Sequence, residues 1–560
     1  MFRAAIQKLK ANFVGSPTPL ASSAPASKAQ INLAEYNVVS EGKAQILFPE
    51  KETVFYNPIQ QFNRDLSVTC IKAWDNLYGS KAIRGKRVGS NGKRSFDGTD
   101  QEATKKRKLA ASKEAVDPTG SGSDDPGRYI KVLEALSATG LRAIRYAHEI
   151  PHVKNIVAND LLPEAVDSIR RNIDYNDLSH LITANQDDAN VLMYRSKAEG
   201  KKFHVIDLDP YGTATPFIDA SLQSIEEGGL MLVTCTDLSV LAGNGYPEKC
   251  FALYGGVNMA GHDATHESAL RLVLNLLSQS AAKQKKYIEP LLSLSIDFYV
   301  RVFVRVRTSP SEVKNLQHNT MIGYMCSGCS AWHTQRLGKQ SQRASKKGKP
   351  YTKYSLAQGP PADKRCHYCG SPHHVFGPMY AGPLHNHEFI DEVLRINEEE
   401  HQDDIYGTRK RIKGMLTLAR NELPEPFYFV PTSISSILKF QVPPLKTVVA
   451  GLGSLGYACS LTHAKASSLK TNAPWDAIWY VMKRYCLDNE LADIKKMNQN
   501  GFGYKILTNE SIDGSTDEWA EKLSFSPNQQ SIDLERLRKL KIVRYQENPT
   551  KNWGPKARPQ

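Results

Sequence analysis

The residues with the clearest chemical capacity stand in one run, Val205-Ile206-Asp207-Leu208-Asp209-Pro210-Tyr211-Gly212. An apolar strand pattern runs straight into a carboxylate, a proline and an aromatic. Such an ending suits the methylation of an amine. The exocyclic amine of a nucleobase is a weak nucleophile, because its lone pair is delocalised into the ring. A carboxylate that accepts its N–H aligns the lone pair and receives the proton, and positioned acid–base groups contribute roughly 10²–10⁴-fold. Alignment on the donor methyl contributes further. Asp209 is the residue so placed, or else a turn residue ahead of Pro210. Tyr211 offers a face on which a base can stack, worth ~1–3 kcal/mol. Asp207 lies inside the strand and reads as structural.

A second constellation is Cys326-Ser-Gly-Cys329 and Cys366-His-Tyr-Cys369, two CxxC pairs separated by 36 residues. Each pair places two thiolates on a tight knuckle, and two knuckles make a tetrahedral four-sulfur zinc site. A closed site of this kind has no open coordination position, so the zinc is expected to be structural. The intervening loop is longer than the ~15–20 residues usual for such sites. Four buried free thiols are the alternative.

These groups need a frame. Ile130–Ala135 reads as a strand, Ser137–Gly140 as a turn and Leu141–Glu149 as a helix. A strand over 155–159 ends at Asp160, and Pro163 starts a helix, a position where proline is tolerated. Leu181–Ala184, Phe203–Leu208 and Leu230–Thr234 read as further strands, His266–Ser280 as a helix, and Leu291–Arg307 as one or two strands. Alternation of this type predicts an α/β, Rossmann-type domain with a mostly parallel sheet. Ligands then bind at the carboxyl ends of the strands. Asp160 follows Gly140 by twenty residues, where an acid grips ribose hydroxyls; a helix N-cap is the other reading. The turn carries one glycine, which suits a cofactor without pyrophosphate, S-adenosylmethionine, better than a dinucleotide. Asp188 can accept from the adenine amine or cap a helix beginning near Asn190.

Composition bounds the rest. The chain has 560 residues, 41% of them hydrophobic, and a formal net charge of +14, which excludes an acidic solvating protein and favours a polyanionic partner. No apolar run approaches the ~20 residues of a membrane span. Nine Cys are too few for a disulfide scaffold. Residues 1–34 contain Arg3, Lys8, Lys10 and Lys28 and no acid, the composition of a mitochondrial presequence or of a plain tail. Residues 80–127 are a polar, basic insertion expected to be disordered. Within it, Lys105-Lys106-Arg107-Lys108 has the form of a nuclear-localisation cluster. Between the knuckles, residues 333–365 hold nine Lys/Arg and one acid, and the last 25 residues hold eight and one, with Tyr545 and Trp553 interleaved. Both stretches suit RNA phosphates and bases. Gly451–Gly456 has a GxGxxG pattern but no preceding strand, and reads as a turn before an apolar helix. Residues 475–485 read as a helix.

Taken together these stretches resemble the tRNA (guanine26-N2)-dimethyltransferases of archaea and eukaryotes. The matching residues are Val54-Phe55-Tyr56-Asn57-Pro58 with Asn63-Arg64-Asp65, Glu134 through Arg142, Asn159-Asp160, Asp188-Ala189-Asn190 and Asp207 through Gly212. Tyr254-Gly-Gly, Tyr287 through Leu292, Gly377 through Leu384 and Thr462-His-Ala-Lys465 also match. The similarity runs from about Ile31 to the end, apart from the insertion. It implies that S-adenosylmethionine is held by Arg64, Arg142, Asp160, Asp188 and the backbone at Ala189. It implies Asp209 as the catalytic acceptor and Tyr211 and Phe55 as flanks of the flipped base. Arg64 and Arg142 read equally as surface or cap residues. Tyr211 stands where archaeal relatives often have Phe. The implied product is N2,N2-dimethylguanosine at position 26 of tRNA. A methyltransferase for another RNA or DNA amine and a non-catalytic tRNA-binding protein are the rivals. The expected organisation is a targeting tail (1–34), a methyltransferase domain (35–315) and a zinc-containing, α+β tRNA-binding domain (316–560). The expected locations are nucleus and mitochondrion. No obligate protein partner is evident.

Overall fold

The computed structural model describes residues 33–49, 56–79, 127–513, 517–540 and 542–545. The expected presequence, the basic insertion with its Lys/Arg cluster, Phe55 and Trp553 therefore lie outside the described residues.

The central sheet has seven strands: β3 (Ile130–Glu134), β4 (Val153–Asp160), β5 (Ile182–Gln186), β6 (Phe203–Leu208), β7 (Ile225–Cys235), β8 (Lys286–Ile296) and β9 (Tyr299–Thr308). Their order is β5-β4-β3-β6-β7-β9-β8. The first five are parallel, and β9 and β8 close the edge as an antiparallel pair. The stretch expected as one or two strands over 291–307 is thus a hairpin turning at Asp297-Phe298. Parallel strands need covered faces, and the crossovers supply them. Helices α2 (Leu141–Glu149), α3 (Pro163–Tyr175), α4 (Ala189–Ala198) and α5 (Thr265–Ala282) do this, with Pro163 at the first helical position as expected. One apolar core forms on each side of the sheet, around Val132, Ile156, Val205 and Leu232 on one face and Leu133, Ile206, Met231 and Val233 on the other.

Before the sheet, β1 (Tyr36–Glu41) and β2 (Ala44–Pro49) form a hairpin, followed by α1 (Gln61–Trp74). Gly42 turns the hairpin at φ +59°, and a Cβ there would lie 2.3 Å from Glu149 Oε1 and 2.6 Å from Arg145 Nε. Only glycine admits that approach.

After the sheet, β10 (Thr320–Cys326), β11 (Trp332–Arg336) and β14 (His373–Tyr380) form a three-stranded sheet that carries the knuckles, in the order β11-β10-β14. The basic stretch between them is not a bare loop: β12 (Gly338–Ala344) and β13 (Pro350–Leu356) pair in an antiparallel hairpin. Packing does not break at residue 315. Met321, Phe376 and Met379 share the core of one sheet face, and helices α6 (His387–Arg395) and α7 (Arg409–Arg420) share that of the other. A third core around Val448, Trp479 and Leu507 belongs to the C-terminal helices.

The GxGxxG stretch is a correction. Gly451 and Gly453 lie inside α8 (Leu445–Ser454), not in a turn before a helix. A Cβ on Gly451 would lie 2.8 Å from Val481 Cγ1 and 3.0 Å from Phe525. These glycines serve close packing against α9 (Trp475–Asp488) and its neighbours. The alternation of glycine looked like a turn because a helix packed this tightly also excludes side chains.

Candidate active site

The carboxyl ends of β3, β4, β5 and β6 bring Arg142, Asp160, Asp188, Ala189, Asp209 and Tyr211 to one edge of the sheet. Glu134 ends β3, and its Cα pairs with Asp207 one strand over. Asp209 follows β6 by one residue. The turn after it is pinned: Gly212 N–H donates to Thr236 Oγ1 at 2.8 Å and Thr236 N–H donates back to Gly212 O at 2.8 Å. Gly212 takes φ +79°, a left-handed conformation that suits glycine. The reversal leaves Tyr211 48% exposed at the mouth of the edge.

Asp209 keeps partial access to solvent, with 21% of its side chain exposed, whereas the side chain of Asp207 is fully buried. Arg142 Nη2 donates to Asp209 Oδ2, and Asn63 Nδ2 from α1 approaches the same oxygen at 3.4 Å. Below them, Asp207 lies 3.0 Å from Arg301 Nη2 and 3.4 Å from Arg142 Nη1, and accepts from Tyr146 OH at 2.6 Å. Burial alone would raise the Asp207 carboxyl; Arg301 and Arg142 outweigh it and hold the group below its ordinary range. The reading of Asp207 as structural therefore stands on geometry. Glu134 lies 3.7 Å from Arg142 and accepts from Ser137 Oγ and from Ala143 N–H. Here burial wins, and the carboxyl is pushed up to about 8 against the pull of Arg142.

A second cluster fastens α1 and α2 to the hairpin. Arg64 donates twice to Glu41, both at 2.5 Å, and to Asn57 O at 3.1 Å, with Tyr56 under its guanidinium at 5.5 Å. Arg145 joins Glu41, Asp65 and Glu149 at 2.9, 2.6 and 2.9 Å. Neither Arg64 nor Arg142 is a plain surface residue, since both are buried and carboxylate-paired.

At the ends of β4 and β5 the edge changes character. Asp160 Oδ2 accepts from Ala138 N–H at 2.9 Å and Oδ1 from Leu162 N–H at 3.1 Å, tying the Ser137–Gly140 turn to β4. Asp188 caps α4, accepting from Asn190 and Val191 N–H at 2.8 and 3.1 Å. The capping reading of Asp188 is thus realised, and its carboxylate is still exposed. Leu161, Leu162 and Val191 beside these acids are 62%, 54% and 49% exposed. Ala189 is buried at the first turn of α4. Exposed aliphatic groups between two carboxylates suit an adenosyl group, which has an apolar ring face and polar ribose and amine edges.

The four knuckle cysteines converge. Their sulfurs lie within 4.8 Å of one another, with Cys326–Cys369 at 3.4 Å and Cys329–Cys366 at 3.7 Å. Gly328 and Cys329 N–H both point at Cys326 Sγ at 3.4 Å. A zinc ion with Zn–S bonds of about 2.3 Å needs sulfurs about 3.8 Å apart, so the donor set fits that metal. A second group, His385, Glu422 and His463, is also close enough to suggest a cation. Lys470 Nζ already lies 3.0 Å from Glu422 and neutralises it.

This arrangement can be set beside known proteins. Residues 33–483 match the model of the family described as N2,N2-dimethylguanosine tRNA methyltransferase. The mitochondrial tRNA (guanine(26)-N(2))-dimethyltransferase of Saccharomyces cerevisiae is 65% identical, over 100% of this chain and 97% of its own length. The chain belongs to the N2,N2-dimethylguanosine tRNA methyltransferase family. The family member of Homo sapiens, named tRNA (guanine(26)-N(2))-dimethyltransferase, is 38% identical over 93% of this chain and 77% of its own. Among solved structures, Trm1 from Pyrococcus horikoshii in complex with S-adenosyl-L-methionine superposes with a TM-score of 0.58. It is 24% identical and covers 80% of this chain and 99% of that one, so the fold is shared.

Sequence reasoning did not single out Asn63 or Arg301, which the structure joins to Asp209 and Asp207. Asn63 stood inside a quoted motif, but nothing local shows that its amide reaches a carboxylate 146 residues away. Arg301 sits in the middle of a strand pattern, where a charge signals a buried partner without naming it.

Proposed function

We propose that this chain methylates the exocyclic amine of a tRNA guanosine, at position 26, twice, giving N2,N2-dimethylguanosine. The observation that carries the reading is Asp209. It is the one carboxylate of its cluster with solvent access, held at the sheet edge by Arg142 and Asn63 beside the exposed ring of Tyr211. S-adenosylmethionine, when bound, supplies an electrophilic methyl group. Asp160, Asp188 and the backbone at Ala189 would hold its adenosyl part, and Arg64 and Arg142, each already paired with a carboxylate of the chain, complete the set that the resemblance implies. Asp209 accepts the guanine N2–H and orients the lone pair. Transfer leaves a cationic amine that is a strong acid, so even a carboxylate paired with Arg142 can take its proton. Tyr211, with Phe55 as its expected counterpart, would flank the base once it has left its stack.

Residues 316–560 are assigned to tRNA binding, supported by the basic β12–β13 hairpin that lies between the two cysteine pairs in the chain. The similar yeast protein is named mitochondrial, which supports a mitochondrial location. Nuclear targeting rests on the Lys105–Lys108 cluster alone, and imaging of chains lacking either signal tests both. The decisive activity test is nucleoside mass spectrometry of unmodified tRNA after incubation with the protein and S-adenosylmethionine. Dimethylguanosine should form, and none should form when inosine, which lacks the amine, replaces guanosine 26. Methylation of duplex DNA instead would overturn the reading.

A further inference from the structure

The register of the β12–β13 hairpin sorts its residues by charge. From Gly338 to Leu356 the chain carries six cations and no acid. Lys339 pairs with Ser355, Ser341 with Lys353 and Arg343 with Tyr351. Opposed residues share a face and successive residues alternate, so Lys339, Arg343, Lys353 and Tyr351 stand on one face. Gln340 with Tyr354 and Gln342 with Thr352 stand on the other, which carries no cation.

The two faces meet different surroundings. Gln340 Nε2 and Tyr354 OH both donate to Asn315 Oδ1, at 2.7 and 3.0 Å, so the uncharged face is fastened to the segment before β10. Gln342 Nε2 donates to Thr352 Oγ1 at 3.2 Å. A Cβ on Gly338 would lie 2.9 Å from Gln317 Cγ, so the root of the hairpin packs directly on the same segment. The charged face is open. Lys339, Arg343 and Lys353 are exposed, and Tyr351 is 49% exposed. At the tip, Ser345 N–H donates to Lys349 O and Gly348 N–H to Ser345 O, both at 2.8 Å, and this closed turn adds the exposed Lys346, Lys347 and Lys349. Among the described residues no carboxylate forms an ion pair with any of the six cations. Lys353 lies diagonally between Lys339 and Arg343, at the ~7–8 Å of such neighbours, where like charges repel. A face that gathers unmatched positive charge is complementary to a polyanion.

We propose that this face of the hairpin is a sequence-independent clamp on the backbone of a paired tRNA segment, adding affinity rather than choice among tRNAs. The inference deepens the assignment of residues 316–560 to tRNA binding and rests on it. The lysines act as point charges towards phosphates. Gln340 and Gln342, of the type that reads base edges, are turned to the other face and engaged there. Arg343 is kept from base edges because the deep, narrow major groove of paired RNA excludes side chains. Tyr351 offers a ring whose stacking is indifferent to base identity.

The test uses the full chain. The triple variant Lys339→Gln, Arg343→Gln, Lys353→Gln alters exposed side chains alone, so thermal melting and S-adenosylmethionine affinity should stay at wild-type values. Its tRNA affinity should fall at least about tenfold at moderate salt, and its log–log salt slope should shrink by about 2–3, as for three phosphate contacts. The loss should be equal for the native transcript and for one whose stem base pairs are inverted. Lys339→Arg with Lys353→Arg should keep both affinity and slope. Unchanged affinity and slope in the triple variant overturn the proposal, and so does a loss confined to one transcript, which means that bases are read. Independently of any variant, lysines of the wild-type protein are acetylated with and without tRNA and read by mass spectrometry. Lys339 and Lys353 should be protected several-fold. Protection by anionic phospholipid vesicles and not by tRNA, or by neither, overturns the proposal. If the wild-type chain binds no tRNA, the parent assignment falls; if it binds and the triple variant binds equally well, only the clamp falls.

Discussion

Asp207 and Asp209 are two residues apart and share Arg142, yet removing each should cause opposite failures. Asp209→Ala removes the acceptor for the guanine amine. Loss of positioned acid–base help lowers the transfer rate roughly 10²–10⁴-fold, or about 2.7–5.4 kcal/mol at 1.36 kcal/mol per decade. The fold should tolerate the change. Arg142 still lies 3.4 Å from the ionised Asp207, so the cation is not orphaned. The cost is of the order of one charged hydrogen bond, about 1.5–3 kcal/mol. Asp207→Ala instead strips the fully buried Arg301 of its carboxylate, leaving the hydroxyls of Thr234 and Ser67. An uncompensated buried charge costs roughly 3–5 kcal/mol. Single-turnover transfer of labelled methyl to tRNA, with urea unfolding of the same preparations, separates the two. The reasoning is refuted if Asp209→Ala turns over within threefold of wild type. It is refuted equally if Asp207→Ala is the more stable of the pair.

Other expectations follow from the same geometry. Asn63→Ala should lower the rate about tenfold while leaving S-adenosylmethionine affinity intact, because the amide holds Asp209 rather than the cofactor; isothermal titration and single-turnover rates check this. Glu134 has a folded pKa raised to about 8, above its unfolded value near 4.5. Its neutral form is therefore the folded one, so its contribution to stability is complete below about pH 4.5 and drains as pH rises towards 8. The slope is at most about 1.4 kcal/mol per pH unit, and Glu134→Gln should flatten it in pH-dependent urea melts. Elemental analysis should find about one zinc per chain from the four-thiolate site. Cys329→Ser or a strong chelator should remove it and unfold the C-terminal part first, visible as Trp475 and Trp479 fluorescence.

Sequence periodicity was sufficient for the frame. Local hydrophobic alternation is a property of adjacent residues, so the strand Phe203–Leu208, the 155–159 part of Val153–Asp160 and the helix Leu141–Glu149 were legible. The strand-end acids Asp160 and Asp209 followed from them, and so did the knuckle cysteines, whose pairing is written in spacing. The buried charge lattice was not legible. Arg142, Arg301, Asp207 and Asn63 look interchangeable with any polar residue until β3, β6, β7 and β9 align and α1 folds over their ends. Nor could spacing show that helices beyond residue 386 complete the core on one face of the central sheet, or that Gly451 belongs to a packed helix. Local pattern determines which face of an element is apolar; only the tertiary structure decides which distant charge meets which, because Coulombic pairing depends on separation in space and on burial, and neither is a property of neighbouring residues.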